Sequence, residues 1–176
     1  LFGPVGILGT ALFIPMARML TGIVGVPIRA SERLFVWAAG LGLMLYTGNW
    51  SLGIATSLSM IASSLYSGER TRDVLLAVLV ATATGVFFWL AQPRIASPSP
   101  SAVWPAGLIS ALVLIRVFRL KEITVLSDYN HQTVRPSRVR IAIQVALIGA
   151  MLSLVAADTG LLGMLPLWAA LLAASL

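Results

Sequence analysis

The chain has 176 residues, of which 59% are hydrophobic and only 10% charged, with a mean hydropathy of +0.96. Soluble domains carry about 25% charged residues, so this chain cannot cover a soluble surface with polar groups. Its lack of cysteine excludes disulfides, thiolate metal sites, a thiol nucleophile and attached c-type haem, and its single histidine excludes a bis-histidine haem or a His-based zinc site built from this chain alone.

A helix needs about 20 apolar residues to cross about 30 Å of hydrocarbon. The first such run extends from Phe2 to Ile28. It lacks a basic leader and a small-residue cleavage signal, so it reads as a span rather than a cleaved signal peptide. Leu1 is not a methionine, which leaves room for a native N-terminus upstream. Within this run lie Pro15, which removes a helix hydrogen bond, and Arg18, which is always charged. The segment after Arg18 is interrupted by Gly22, Gly25 and Pro27, and is read as interfacial or re-entrant.

After the charged break RASER, the apolar residues from Leu34 to Tyr66 would form a single helix of roughly 50 Å, too long for one span. Gly48 and Asn49 are turn residues near its middle, so the stretch is read as a hairpin of two short helices. One long kinked helix with an interfacial part is the alternative. The polar break SGERTRD precedes a fourth span, VLLAVLVATATGVFFWLA. A Pro/Ser loop leads to a fifth, AGLISALVLIRVF. The longest polar segment, residues 121–140, separates it from a sixth, IAIQVALIGAMLSLVAA, and TGLLGMLPLWAALLAASL closes the chain as a short last span.

The basic residues set the orientation, because Lys and Arg are retained in cytoplasmic loops. Arg29 and Arg33 lie between spans one and two, and Arg70 and Arg72 follow span three. Arg116, Arg119, Lys121, Arg135, Arg138 and Arg140 flank the loop between five and six. The intervening turns hold Arg94 or no basic residue. This alternation favours the hairpin over the single long helix. It also accounts for the net charge of +6 and the pI near 11.1 without invoking nucleic acid. Tyr46, Trp50, Trp89 and Trp104 fall at the expected outer interface, and Trp37 and Tyr66 at the inner one. Trp168 falls mid-span and is expected to pack against a neighbour.

The expected fold is therefore all-α: a polytopic transmembrane helical bundle of about seven spans, with spans two and three short, the N-terminus outside and the C-terminus cytoplasmic. It is read as one integral membrane domain over residues 1–176, in a cell membrane of the prokaryotic cytoplasmic type.

Candidate functional residues are few. Ala55, Ser59 and Ser63 recur every four residues in span three, as do Ala142, Ala146 and Ala150 in span six, a spacing that lets backbones approach closely. Thr56, Ser59 and Ser63, with Gln144 in span six, form a candidate polar lining; the alternative is close packing with hydroxyls bonded back to the preceding turn. Arg116, Arg119, Arg135, Arg138 and Arg140 form a basic cytoplasmic ring suited to anionic lipid headgroups or an anionic substrate, and Arg18 joins them as a candidate substrate or lipid contact. Arg18 either snorkels to the inner face or lies inside the bundle, paired with an acid from that side (Glu32, Glu69 or Asp73) or with backbone carbonyls freed by Pro15. Asp158 is a candidate titrating carboxylate or a helix cap. Asp128 and His131 in the polar loop could form an acid–base pair, but no catalytic constellation, metal cluster or phosphate loop accompanies them.

Three function classes follow. The first is movement of a small solute or lipid-linked substrate across the bilayer. The second is a non-catalytic subunit of a larger membrane assembly, and the third, disfavoured for want of a catalytic site, is an enzyme on lipid substrates. No cofactor or metal is expected. The expected partners are membrane lipids, anionic headgroups above all, and further copies of the chain or partner subunits.

Overall fold

The computed structural model describes residues 4–21, 29–66, 70–93, 95, 97–120, 135–156 and 167–171. Six helices run through them: α1 (Pro4–Thr21), α2 (Ala30–Thr47), α3 (Trp50–Ser64), α4 (Arg70–Ala91), α5 (Pro100–Arg119) and α6 (Pro136–Ala156). Residues 167–171 are also helical, and the described residues contain no strand. The segment 22–28, the polar loop with Asp128 and His131, and Asp158 lie outside the described residues.

The hairpin is present. α2 ends at Gly48, whose φ of 70° is the left-handed conformation that a glycine adopts without strain. Asn49 then caps α3: its Oδ1 accepts from the Ser51 amide at 3.1 Å and from the Ser51 hydroxyl at 2.6 Å. Two residues thus reverse the chain between helices about 27 Å and 22 Å long.

α3 is the centre of the bundle. It packs against α4, α6, α2 and α1, and is buried on nearly every side. Its neighbours each turn one stripe toward it or toward one another. On α2 the buried residues are Arg33, Val36, Gly40 and Met44; on α4 they are Asp73, Leu76, Ala77, Val80 and Thr84. This spacing puts each set on one helical face. Glycines mark where the helices approach closely. A Cβ added at Gly40 would lie 2.2 Å from Thr56 Oγ1, and one at Gly53 would lie 2.2 Å from Thr84 Oγ1 and 2.6 Å from Met44 Sδ. One at Gly149 would meet Phe13 Cζ at 2.6 Å and Ala55 Cβ at 3.3 Å. Close backbone approach of this kind, with its dispersion contacts, is what holds helices together where lipid removes the hydrophobic drive.

α5 sits at the edge, held mainly by α6 through the narrow row Ala102, Ala106, Val113 and Val117. The remaining faces of α4 and α5 expose large apolar groups, among them Leu75, Val78, Leu90, Leu108 and Phe118. In water such a surface would aggregate; against lipid it is the expected one.

α4, α5 and α6 are each long and apolar enough to cross a bilayer. The other described helices fall short by length or charge. The apolar part of α1 is Leu8–Thr21, α2 carries Glu32 and Arg33 in its first turn, and α3 has 15 residues. Trp89 is exposed near the end of α4 and Trp104 near the start of α5. Trp50, at the start of α3, packs inward instead of standing exposed. It is buried and meets Phe88 edge-on, with ring centroids 5.8 Å apart at 87°. Trp168 is 1% exposed and belongs to the core.

Candidate functional site

The charged contacts gather at one end of the bundle, where α1, α3 and α5 finish and α2, α4 and α6 begin. The deepest is an ion pair between Arg33, in the first turn of α2, and Asp73, in the first turn of α4. Arg33 Nη1 lies 3.2 Å from Asp73 Oδ1, and the side chains are 9% and 0% exposed. The Ser63 hydroxyl, at the end of α3, donates to Asp73 Oδ2 at 3.4 Å. Three helices therefore meet through one buried carboxylate. Both charges head the inward stripes of their helices, so the apolar pattern that buries Val36 and Leu76 also drives Arg33 and Asp73 inward.

Beside this cluster, Arg18 Nη2 at the end of α1 lies 3.1 Å from Glu32 Oε1 on α2, with side chains 49% and 38% exposed. The pair lines a cleft of about 400 Å³. Pro15, Met19, Phe35 and Val36 give it an apolar lining, and Ser31 adds a hydroxyl. Arg18 thus pairs with Glu32, one of the expected acids, while its side chain stays half exposed.

The other basic residues divide into ties and exposed charges. Arg138 Nη2 donates to the Tyr66 carbonyl at 3.3 Å, and its guanidinium lies 4.8 Å from the centre of the Tyr66 ring. Arg140 donates from both Nε and Nη2 to the Leu120 carbonyl, joining the start of α6 to the end of α5. Arg116, Arg119 and Arg135 are exposed. The basic ring of the sequence reading is thereby distributed: two members bind helix ends, and three face outward.

The hydroxyls of α3 are mostly internal to their own helix. Thr56 Oγ1 donates to the Leu52 carbonyl at 2.7 Å, Ser57 Oγ to Gly53 at 3.0 Å and Ser59 Oγ to Ala55 at 2.7 Å. All three residues are buried. This is the close-packing arrangement, and Ser63 alone of the candidate lining residues reaches a charged group, Asp73. Gln144 is half-buried on α6. No group of three or more His, Asp or Glu side chains able to hold a metal ion occurs among the described residues.

No protein-family model, curated protein or solved structure matches this chain. The functional argument therefore rests on its own geometry.

Sequence reasoning passed over the Arg33–Asp73 pair because RASER and SGERTRD look like loops. The available signal was periodicity: each charge lies three residues before an apolar residue that opens a continuous inward stripe.

Proposed function

We propose that this chain is a polytopic membrane protein of about seven membrane-embedded segments, with the charged end cytoplasmic and the N-terminus outside, and that it moves a small solute or lipid-linked substrate across the bilayer. The observation that carries this reading is the buried Arg33–Asp73 pair with Ser63 against it. A charge at the centre of a span costs about 2.5–3.5 kcal/mol on insertion scales; this pair sits in the first turns of its helices, where the cost is smaller, and ionisable groups that face a bundle interior mark pathways and relays. The pair also bridges α2 and α4 around α3, so breaking it would free two helix ends to separate. Next to it, the Arg18–Glu32 cleft offers an entry at the same end of the bundle.

A second reading has its own support. α5 is attached by one narrow row of small residues and exposes apolar surface elsewhere, which suits a subunit that docks on a larger membrane assembly.

Purified protein in sealed vesicles separates the two. Glycerol-driven swelling reports solute passage, and dithionite quenching of a fluorescent phospholipid reports lipid passage. Transport requires wild-type vesicles to exceed protein-free vesicles with at least one probe, and Asp73→Asn to reduce that excess. Equal rates with both probes, together with co-purification of a fixed-ratio partner through the α5 face, would sink the transport reading in favour of the subunit.

A further inference from the structure

The Arg18–Glu32 cleft has a chemistry of its own, and we infer that it binds a phospholipid with a phosphoethanolamine headgroup. The inference rests on the membrane placement proposed above, and not on transport. The cleft presents a cation and an anion 3.1 Å apart in its lining. Neither is used up by the other: a guanidinium has five donors and a carboxylate about four acceptor positions. Both side chains remain partly exposed, so a ligand reaches them without first breaking the pair.

The complementary ligand carries both signs a few ångströms apart. Its phosphate accepts from Arg18, the side chain best matched to phosphate geometry, and from the Ser31 hydroxyl. Its ammonium donates to Glu32. Three headgroup classes are thereby ranked. A purely anionic headgroup satisfies Arg18 but sets like charge against Glu32. A choline headgroup carries a positive charge with no N–H to donate, and quaternary ammonium recognition calls for an aromatic cage. Among the described residues Phe35 is the one aromatic that lines the cleft, short of the several rings a cage needs. A primary ammonium meets both requirements.

The lining favours a lipid over a free zwitterion. Pro15, Met19, Phe35 and Val36 are apolar, and Phe35 is 62% exposed along the side of the bundle. The volume of about 400 Å³ suits a headgroup and glycerol, and not two acyl chains. The chains would leave past Phe35 into the bilayer.

The test is retention of lipid by the intact protein. Wild-type chain is released from nanodiscs made of equal parts dioleoyl phosphatidylethanolamine, phosphatidylcholine and phosphatidylglycerol, and the bound lipid is identified by native mass spectrometry. The expected result is about fivefold enrichment of phosphatidylethanolamine over each competitor, the scale of one partly exposed ion pair. Glu32→Gln should abolish the preference over phosphatidylglycerol, and Arg18→Lys should keep it. Equal retention of the three lipids by the wild type, a measurement that needs no variant, overturns the inference, as does a preference that survives Glu32→Gln. Glycerophosphoethanolamine, the headgroup without chains, should compete weakly; complete displacement by it would move the site to a soluble zwitterion and overturn the lipid assignment. Transport without lipid preference would remove this inference and leave the proposed function standing, and lipid preference without transport would do the reverse.

Discussion

Replacing Asp73 with asparagine removes one charge from the most deeply buried polar group among the helix ends and changes little else. Asp73 is fully enclosed, and Arg33 faces it at 3.2 Å. With an effective dielectric of about 20, two unit charges at that distance attract by about 5 kcal/mol. Their desolvation consumes much of this, so the intact pair adds little net stability. Breaking it is different, because Asp73→Asn takes away the carboxylate that faces the enclosed Arg33 guanidinium at 3.2 Å and puts a neutral amide in its place. Losses of about 3–5 kcal/mol accompany such single removals, and the amide can still accept from Ser63, which places this case near the lower end. The double variant Arg33→Met, Asp73→Leu removes both charges and fills the space with apolar groups; it should lie within about 1–2 kcal/mol of wild type. The assay is reversible unfolding by sodium dodecyl sulfate in mixed micelles, followed by circular dichroism. A single variant within about 0.5 kcal/mol of wild type, or a double variant less stable than the single one, would refute the reasoning.

Two further outcomes follow from the same geometry. Gly53→Ala places a methyl 2.2 Å from Thr84 Oγ1 and 2.6 Å from Met44 Sδ, and should cost about 1–3 kcal/mol in the same unfolding assay. Thr84→Ala added to it should recover part of the loss, whereas Gly42→Ala, which meets nothing within 4 Å, should cost nothing. The chain has no cysteine, so single cysteines report orientation without background. In intact cells an impermeant maleimide should label Ser97→Cys directly and Arg119→Cys only after permeabilisation; the opposite pattern would invert the proposed topology.

The hairpin was legible because its signals are local. Gly48 and Asn49 break a helix and cap the next one wherever the rest of the chain lies. The clustering of basic residues at one end was legible too, since up-and-down helices bring alternate loops together. What the sequence could not convey was depth. Arg33 and Glu32 are adjacent in one charged break, yet Arg33 is buried against Asp73 and Glu32 stands partly exposed beside Arg18. A rotation of about 100° per residue separates those two fates, and only the packed neighbours fix which face is inward. The hydroxyls of α3 were ambiguous for a related reason. Composition is the same for a hydrated lining and for a packed seam, and the distinction lies in whether Thr56 and Ser59 bond their own helix, which they do.

Those internal bonds have a consequence for how the molecule is made. α3 is synthesised before α4 and well before α6, helices that later cover it. In the proposed membrane placement its small-residue seam rests, in that interval, against lipid or the walls of the insertion machinery. Serine and threonine would be unwelcome there if their hydroxyls waited for partners on helices not yet made. Because Thr56, Ser57 and Ser59 donate to carbonyls one turn back, they are satisfied as soon as the helix forms. Ser63 is the exception, and its partner Asp73 follows ten residues later on the next helix to emerge. The order of synthesis thus matches the order in which the polar groups need one another.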